Sequence, residues 1–238
     1  MYLFLSRIIK TIMTENLLLK YMSMRTNENP AKKEGTVITI SREYGCEGYE
    51  LAKLLYDTIE KRIKHKENHP KWKILCKEII KESAMELHSS PEKLSKIVNS
   101  DERSILEGII SGKNYYTDNK IKKTMHNIIR KYAEQGNVII VGRAGCVITK
   151  LFPKTLHIRI IAPFKWRVNH VAEKHKLSLS DAKKKVIEID NNRSNFIRYF
   201  NCDVKEPGNF DIIFNRGIFS KEEIVGSIMN ILEERKLI

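Results

Sequence analysis

The sequence predicts an α/β fold, a parallel sheet flanked by helices on both faces, and three observations carry that prediction. Four short segments, Thr36–Ile40, Val138–Val141, Leu156–Ile161 and Phe210–Phe214, read as apolar strands, the pattern of a sheet covered on both sides. Segments with apolar residues at helical spacing lie between them, as alternating α/β architecture requires. With 238 residues, 42% of them apolar, the chain has material for one large core.

The elements follow in order. Thr36–Ile40 is β-branched and ends at Ser41. After a glycine-containing loop, Leu51, Leu55 and Ile59 recur every four residues and predict a helix with one apolar face. From Trp72 to Ile110 the chain reads as mostly helical, with Ser90-Pro91 as a start signal. A helix over about residues 120–134 places Ile121, Met125, Ile128, Ile129 and Tyr132 on one side, and Gly136 stops it. Helices are also predicted over about residues 163–175 and 180–200. A last one starts at Ser220, where Glu223 three residues on completes a capping box. Ile224, Ile228, Ile231 and Leu232 give it a buried stripe.

Residues 1–35 differ in character and are expected to form an extension and linker ahead of a single domain over 36–238. Arg7, Lys10 and Lys20 interrupt the early apolar stretches, which fall short of the ~20 residues a membrane span needs. No signal-peptide cleavage pattern is evident, so no membrane partner and a cytoplasmic location are expected. Cys46, Cys76, Cys146 and Cys202 are widely spaced, which suits reduced thiols and neither a disulfide frame nor a zinc site. His65 and His69 flank a loop-like stretch and read as a solvated linker. The formal net charge of +14 points to anionic partners. The basic residues are dispersed and accompany no nucleic-acid motif, so nucleotides are expected as partners ahead of nucleic acid.

The segment Ser41-Arg-Glu-Tyr-Gly45-Cys-Glu-Gly48-Tyr49, between a strand and a helix, has the layout of a phosphate cradle. Glycines allow backbone N–H groups to face an anion, and the helix N-terminus adds favourable charge. A plain strand-to-helix turn has a similar pattern. The motif G-x-x-x-x-G-K-[ST] is not complete. Gly48 stands at its lysine, Tyr49 at its metal-binding hydroxyl, and Glu47 where glycine is usual.

Ile38-Thr-Ile-Ser-Arg-Glu-Tyr-Gly45 followed by Gly48-Tyr-Glu-Leu-Ala52 resembles the opening of the cytidylate kinase-like family, whose members read Ser-Arg-x-Tyr-Gly-Ser-Gly-Gly here. The resemblance continues through Val141-Gly-Arg-Ala144, Ala162-Pro163 with Arg167, Asp190-Asn-Asn-Arg193 and Phe210-Asp-Ile-Ile-Phe-Asn215. The family lacks the loop lysine, so Gly48 conforms to it, whereas Cys46 and Glu47 depart. The resemblance implies a fold of the P-loop nucleoside-triphosphate-hydrolase type with a helical lid, and transfer of a phosphoryl group from ATP, with Mg²⁺, to a nucleoside monophosphate. Ser41, Arg42, Gly45, Cys46, Gly48 and Tyr49 are then expected at the donor phosphates, with Arg42 a candidate substitute for the lysine.

Arginine suits phosphoryl transfer because it stays charged and grips two oxygens at once. Arg143, directly after a strand, matches the Gly-Arg-Asp that contacts the monophosphate in cytidylate kinases, although Ala144 replaces the aspartate. Arg193 matches the arginine of the Asp-x-x-Arg lid motif. Val186 stands where the lid usually offers another arginine, and Arg167 is a further candidate for the same anion pocket. Mg²⁺ has no evident protein ligand beyond Ser41. These losses leave two other readings, a pseudokinase that binds nucleotide without turnover and a basic nucleic-acid-binding module.

Overall fold

A computed structural model describes residues 35–65, 71–92, 94, 118–198, 200 and 206–238. Residues 1–34 of the expected extension, His69, Cys202, and residues 93 and 95–110 of the stretch read as mostly helical lie outside the described residues. Five strands form one parallel sheet: β1 (Val37–Arg42), β2 (Lys73–Leu75), β3 (Val138–Val141), β4 (Thr155–Ile161) and β5 (Ile212–Asn215). Their spatial order is β2-β3-β1-β4-β5. The main helices are α1 (Gly48–Ile63), α2 (Glu78–Glu86), α3 (Asp118–Gln135), α4 (Gly145–Ile148), α5 (Phe164–His175), α6 (Leu179–Arg198) and α7 (Lys221–Glu234). The architecture is α/β, one parallel sheet with helices on both faces, and α5 and α6 pack against each other as a separate helical pair.

The apolar strands are explained by their two covered faces. In β1, Ile38 and Ile40 enter a core with Leu51, Leu55 and Ile59 of α1 and Ile224, Ile228 and Leu232 of α7. Val37 turns to the opposite core, with Ile79 and Ile80 of α2 and Ile121, Met125 and Ile129 of α3. The strand period of two divides β3 in the same way, Ile139 and Val141 to the first core, Val138 and Ile140 to the second. Each such side chain contributes about 1.5–3 kcal/mol on burial. Helices α5 and α6 share a smaller core of Val168, Val171, Ala182 and Val186.

The expected capping box at Ser220 and Glu223 is present, and α3 ends at Gln135 before Gly136, whose φ is +69°. Two elements correct the sequence reading. Residues 73–75 form β2, not helix, and 145–148 form the single turn α4. The fourth strand begins two residues later than read: the Phe210 amide donates to the Pro207 carbonyl at 3.0 Å, and Asp211 is tied to His157, its amide donating to the His157 carbonyl at 2.8 Å and its carboxylate accepting from the His157 amide at 2.7 Å. Among the described residues no helix is long and apolar enough to cross a membrane.

Candidate active site

Parallel strands bring the loops after β1, β3, β4 and β5 to one edge of the sheet. β1 sits between β3 and β4, so the chain leaves it to opposite sides, the switch point at which such sheets take ligands. The loop after β1, residues 43–47, leads into the N-terminus of α1 there. Gly45 has φ +92°, and a Cβ on it would lie 3.2 Å from both Cβ and the carbonyl oxygen of Arg167. Glycine is therefore required by backbone conformation and by close packing on α5.

The Arg42 side chain lies against two glycines of the site. A Cβ on Gly48 would lie 2.7 Å from Arg42 Cγ, and one on Gly142 would lie 1.9 Å from an Arg42 guanidinium nitrogen. The Arg42 stem thus occupies the space above Gly48, and its charged end lies against Gly142 beside Arg143. Two glycines make room for one arginine.

A cavity of about 460 Å³ opens beside this arginine, lined by Arg42, Arg143, Arg159 and Arg193 together with Ser41, Glu43 and Asp190. Burial, and next Arg143 among the cations, pull the Arg42 guanidinium below its usual value. Arg143 is lowered by burial and by Arg193. Arg193 falls to about 10, chiefly through burial and then through Arg42. Among the described residues neither Arg42 nor Arg143 has a carboxylate within ion-pair distance. Arg193 donates to the Arg42 carbonyl at 3.3 Å and lies over the Tyr44 ring, while Arg143 lies over Phe196. Four arginines line the space against two carboxylates that Arg167 already engages, and this excess of buried positive charge is an arrangement that an anion relieves. Residues 142–144 are all left-handed, Arg143 and Ala144 at φ 54° and 55°, a strain that aims the arginine into the cavity.

Arg167 does not line this cavity. Its guanidinium donates to the carbonyls of Ala162 and Tyr44, each at 3.1 Å, and pairs with Asp190 at 2.5 Å and Glu43 at 3.2 Å. Asp190 also accepts from the Tyr44 amide at 2.7 Å. The Asp190–Arg193 spacing singled out in the sequence therefore splits in two: Asp190 ties α6 to the loop through Arg167, and Arg193 faces the cavity. Cys46 is wholly buried, its thiol pushed up to about 12 by burial and Glu43, so only its backbone faces the loop. Tyr49 is half exposed on α1 and does not reach the cavity. Ser41 lines the cavity, with its Oγ 3.6 Å from Cys146 Sγ. Arg159 escaped sequence reading because β4 was taken as uniformly apolar. A charged residue inside a strand buried on both faces was the signal.

Glu47, at φ 52°, precedes α1 but makes no capping bond to it. Its carboxylate turns instead to Arg216 at 3.2 Å, His170 and Lys174 at 3.4 Å and Lys221 at 3.5 Å. Burial alone would raise its pKa, but Lys221, His170 and Lys174 outweigh that and lower it.

Of the oxygen donors in the lining, Glu43 and Asp190 are engaged by Arg167 and by the Ala162 and Tyr44 amides, and Ser41 contributes a hydroxyl, the kind of hard oxygen ligand that suits Mg²⁺. Among the described residues no group of three or more His, Cys, Asp or Glu forms a metal cluster.

A model of the cytidylate kinase-like family matches residues 37–218. The chain is 25% identical over 122 residues to cytidylate kinase of Sulfolobus acidocaldarius, covering 50% of this chain and 64% of that one. It is 30% identical over 94 residues to cytidylate kinase of Pyrococcus horikoshii, covering 39% and 47%. The chain thus spans less than two thirds of the length of the curated relatives it matches. The crystal structure of an uncharacterized protein from Eubacterium ventriosum shares the fold, with TM-score 0.61 and 18% identity over 84% of this chain and 98% of that one.

Proposed function

Because the chain belongs to the cytidylate kinase-like family, we propose that it transfers the terminal phosphoryl group of ATP to a nucleoside monophosphate or a similar phosphorylated acceptor. The observation that supports this most is the arginine-lined cavity beside the loop at the N-terminus of α1, where Arg42 and Arg143 have no carboxylate partner among the described residues. Backbone amides of that loop and helix take the donor phosphates. Arg143 grips the acceptor phosphate from the β3 side, and Arg193 reaches the transferring group from α6. Arg42 supplies the charge a loop lysine would bring. The Ser41 hydroxyl would be a ligand for Mg²⁺, which would supply charge neutralisation on the donor phosphates. A phosphate oxygen is already nucleophilic at neutral pH, so no strong base is required.

The test is acceptor-dependent ADP release from Mg·ATP across CMP, UMP, AMP, GMP and their deoxy forms. Wild type is expected to turn over at least one acceptor, with Arg143→Ala and Arg193→Ala as the low-activity references. A second reading, nucleotide binding without turnover, is favoured by one observation: Asp190 already occupies the Tyr44 amide of the loop. Nucleotide binding with no acceptor-dependent ADP above those references would establish that reading instead.

A further inference from the structure

The cluster around Glu47 is not accounted for by the shape of the loop. Its cations come from three places distant in sequence: His170 and Lys174 on α5, Arg216 after β5, and Lys221 at the start of α7. All converge on one carboxylate at the N-terminus of α1, and that carboxylate leaves the helix uncapped. Lys174 also pairs with Glu50 at 2.6 Å. Even so, the three permanent cations outnumber the two carboxylates. Among the described residues Arg216 Nε is buried without a hydrogen-bond partner, and His170 Nε2, although 3.4 Å from Glu47, makes no well-formed hydrogen bond, so capacity remains that an anion with more oxygens than a carboxylate would satisfy. Glu47 is held in a left-handed conformation disfavoured for any residue with a Cβ, and its ion pairs are the visible compensation.

We propose that the Glu47 carboxylate is an internal counter-anion, seated among Lys174, Arg216, Lys221 and His170 in the place of a polyphosphate tail, so that a nucleoside triphosphate gains these cations only by displacing it. The proposal rests on the donor-site reading above and deepens it: Glu47 sets the threshold for the donor. A carboxylate carries one negative charge, and a triphosphate carries several. Weak anions and singly charged ligands therefore leave Glu47 in place, while polyphosphates exchange with it. The N-terminus of α1, which the Glu47 side chain leaves uncapped, adds to the gain. A purely structural staple among α1, α5 and α7 would use the same contacts, and the two differ in what charge removal does to binding.

The experiment is titration calorimetry with inorganic tripolyphosphate in metal-free buffer, on wild type, Glu47→Gln and Lys174→Ala, with thermal melting of each in parallel. Glu47→Gln is expected to bind tripolyphosphate about ten-fold more tightly or better, since one repelling charge a few ångströms away is gone. Its melting temperature without ligand should fall below wild type, and tripolyphosphate should raise it by more than it raises wild type. Lys174→Ala should weaken binding. Glu47→Gly, which also relieves the left-handed strain, removes the same charge and should tighten binding should the glutamine variant fold poorly. Equal or weaker binding by the charge-free variants overturns the counter-anion role while leaving the donor site standing. No tripolyphosphate binding by wild type or any variant removes the donor-site reading together with it.

Discussion

At the scale of single residues, the site is an excess of positive charge that only a ligand relieves, and its variants should separate binding from folding. Arg143→Ala is expected to lower turnover roughly a hundred-fold, as loss of one preorganised donor typically does, with acceptor use most affected. The same change removes a buried cation that lacks a carboxylate partner and lies near Arg42 and Arg193. The free protein should therefore melt at the wild-type temperature or above, the sign opposite to ordinary core damage. Arg143→Lys keeps charge but loses the fork and should not restore activity. Steady-state kinetics with a melting curve reads both effects. Gly48→Lys, which restores the familiar loop residue, should destabilise the protein, because the Arg42 stem fills that space. Combined with Arg42→Ala it should be tolerated, and a double-mutant cycle in urea measures the coupling. Gly45→Val should cost stability as well as affinity, given φ +92° and the contact with α5.

At the scale of elements, the loop, β4 and α6 are joined by one side chain. Arg167→Ala would break four contacts and leave Glu43 and Asp190 partly buried without their cation. A loss of about 2–4 kcal/mol in urea denaturation is expected, with lysine a poor replacement. A second element-scale test lies between β1 and β4. His157 is buried, its Nδ1 2.9 Å from Thr39 Oγ1, and burial lowers its pKa against the opposing pull of Asp211. The unfolded chain takes up a proton near pH 6.5 while the folded one resists. Stability should be undiminished above that pH and fall as pH drops below it, by up to about 1.4 kcal/mol per pH unit. His157→Gln should lose less stability between pH 7.5 and 5.5, measured by urea midpoints. Long periodic elements were legible in the sequence because burial on two faces writes itself as unbroken apolar runs. β2 was not, since only Leu75 of its three residues is fully buried. The loop, Arg143 and Arg193 were legible through motif spacing. The partners of Arg167 and Glu47 were not, because they come from elements far away in the chain and local spacing carries no trace of them.

At the scale of the whole molecule, the fold concentrates its chemistry on one sheet edge while a net charge of +14 is spread along the chain. A ligand that binds the native state alone stabilises it by an amount that grows with the logarithm of its concentration over its Kd, so at equal concentration the tighter ligand raises the melting temperature more. Nucleoside triphosphates should do so more than monophosphates at equal concentration, and the effect should shrink with salt. A thermal-shift series checks it, and equal shifts from any polyanion would favour general charge binding. We also expect a chain starting at Gly35 to melt close to the full-length protein, because Arg7, Lys10 and Lys20 break the apolar pattern of the segment before it. The position of β1 has a further consequence for the way the protein is made. β1 is the central strand and pairs with β3 and β4, so Val37 waits for Val138 across roughly a hundred residues of synthesis. At about 5–20 residues per second, that is on the order of 5–20 s during which Val-Ile-Thr-Ile has left the ribosome without its neighbours. The strand that carries the phosphate loop is thus the nascent chain's most exposed adhesive segment. Slower translation lengthens that wait, and soluble yield should depend on the chaperones that cover it.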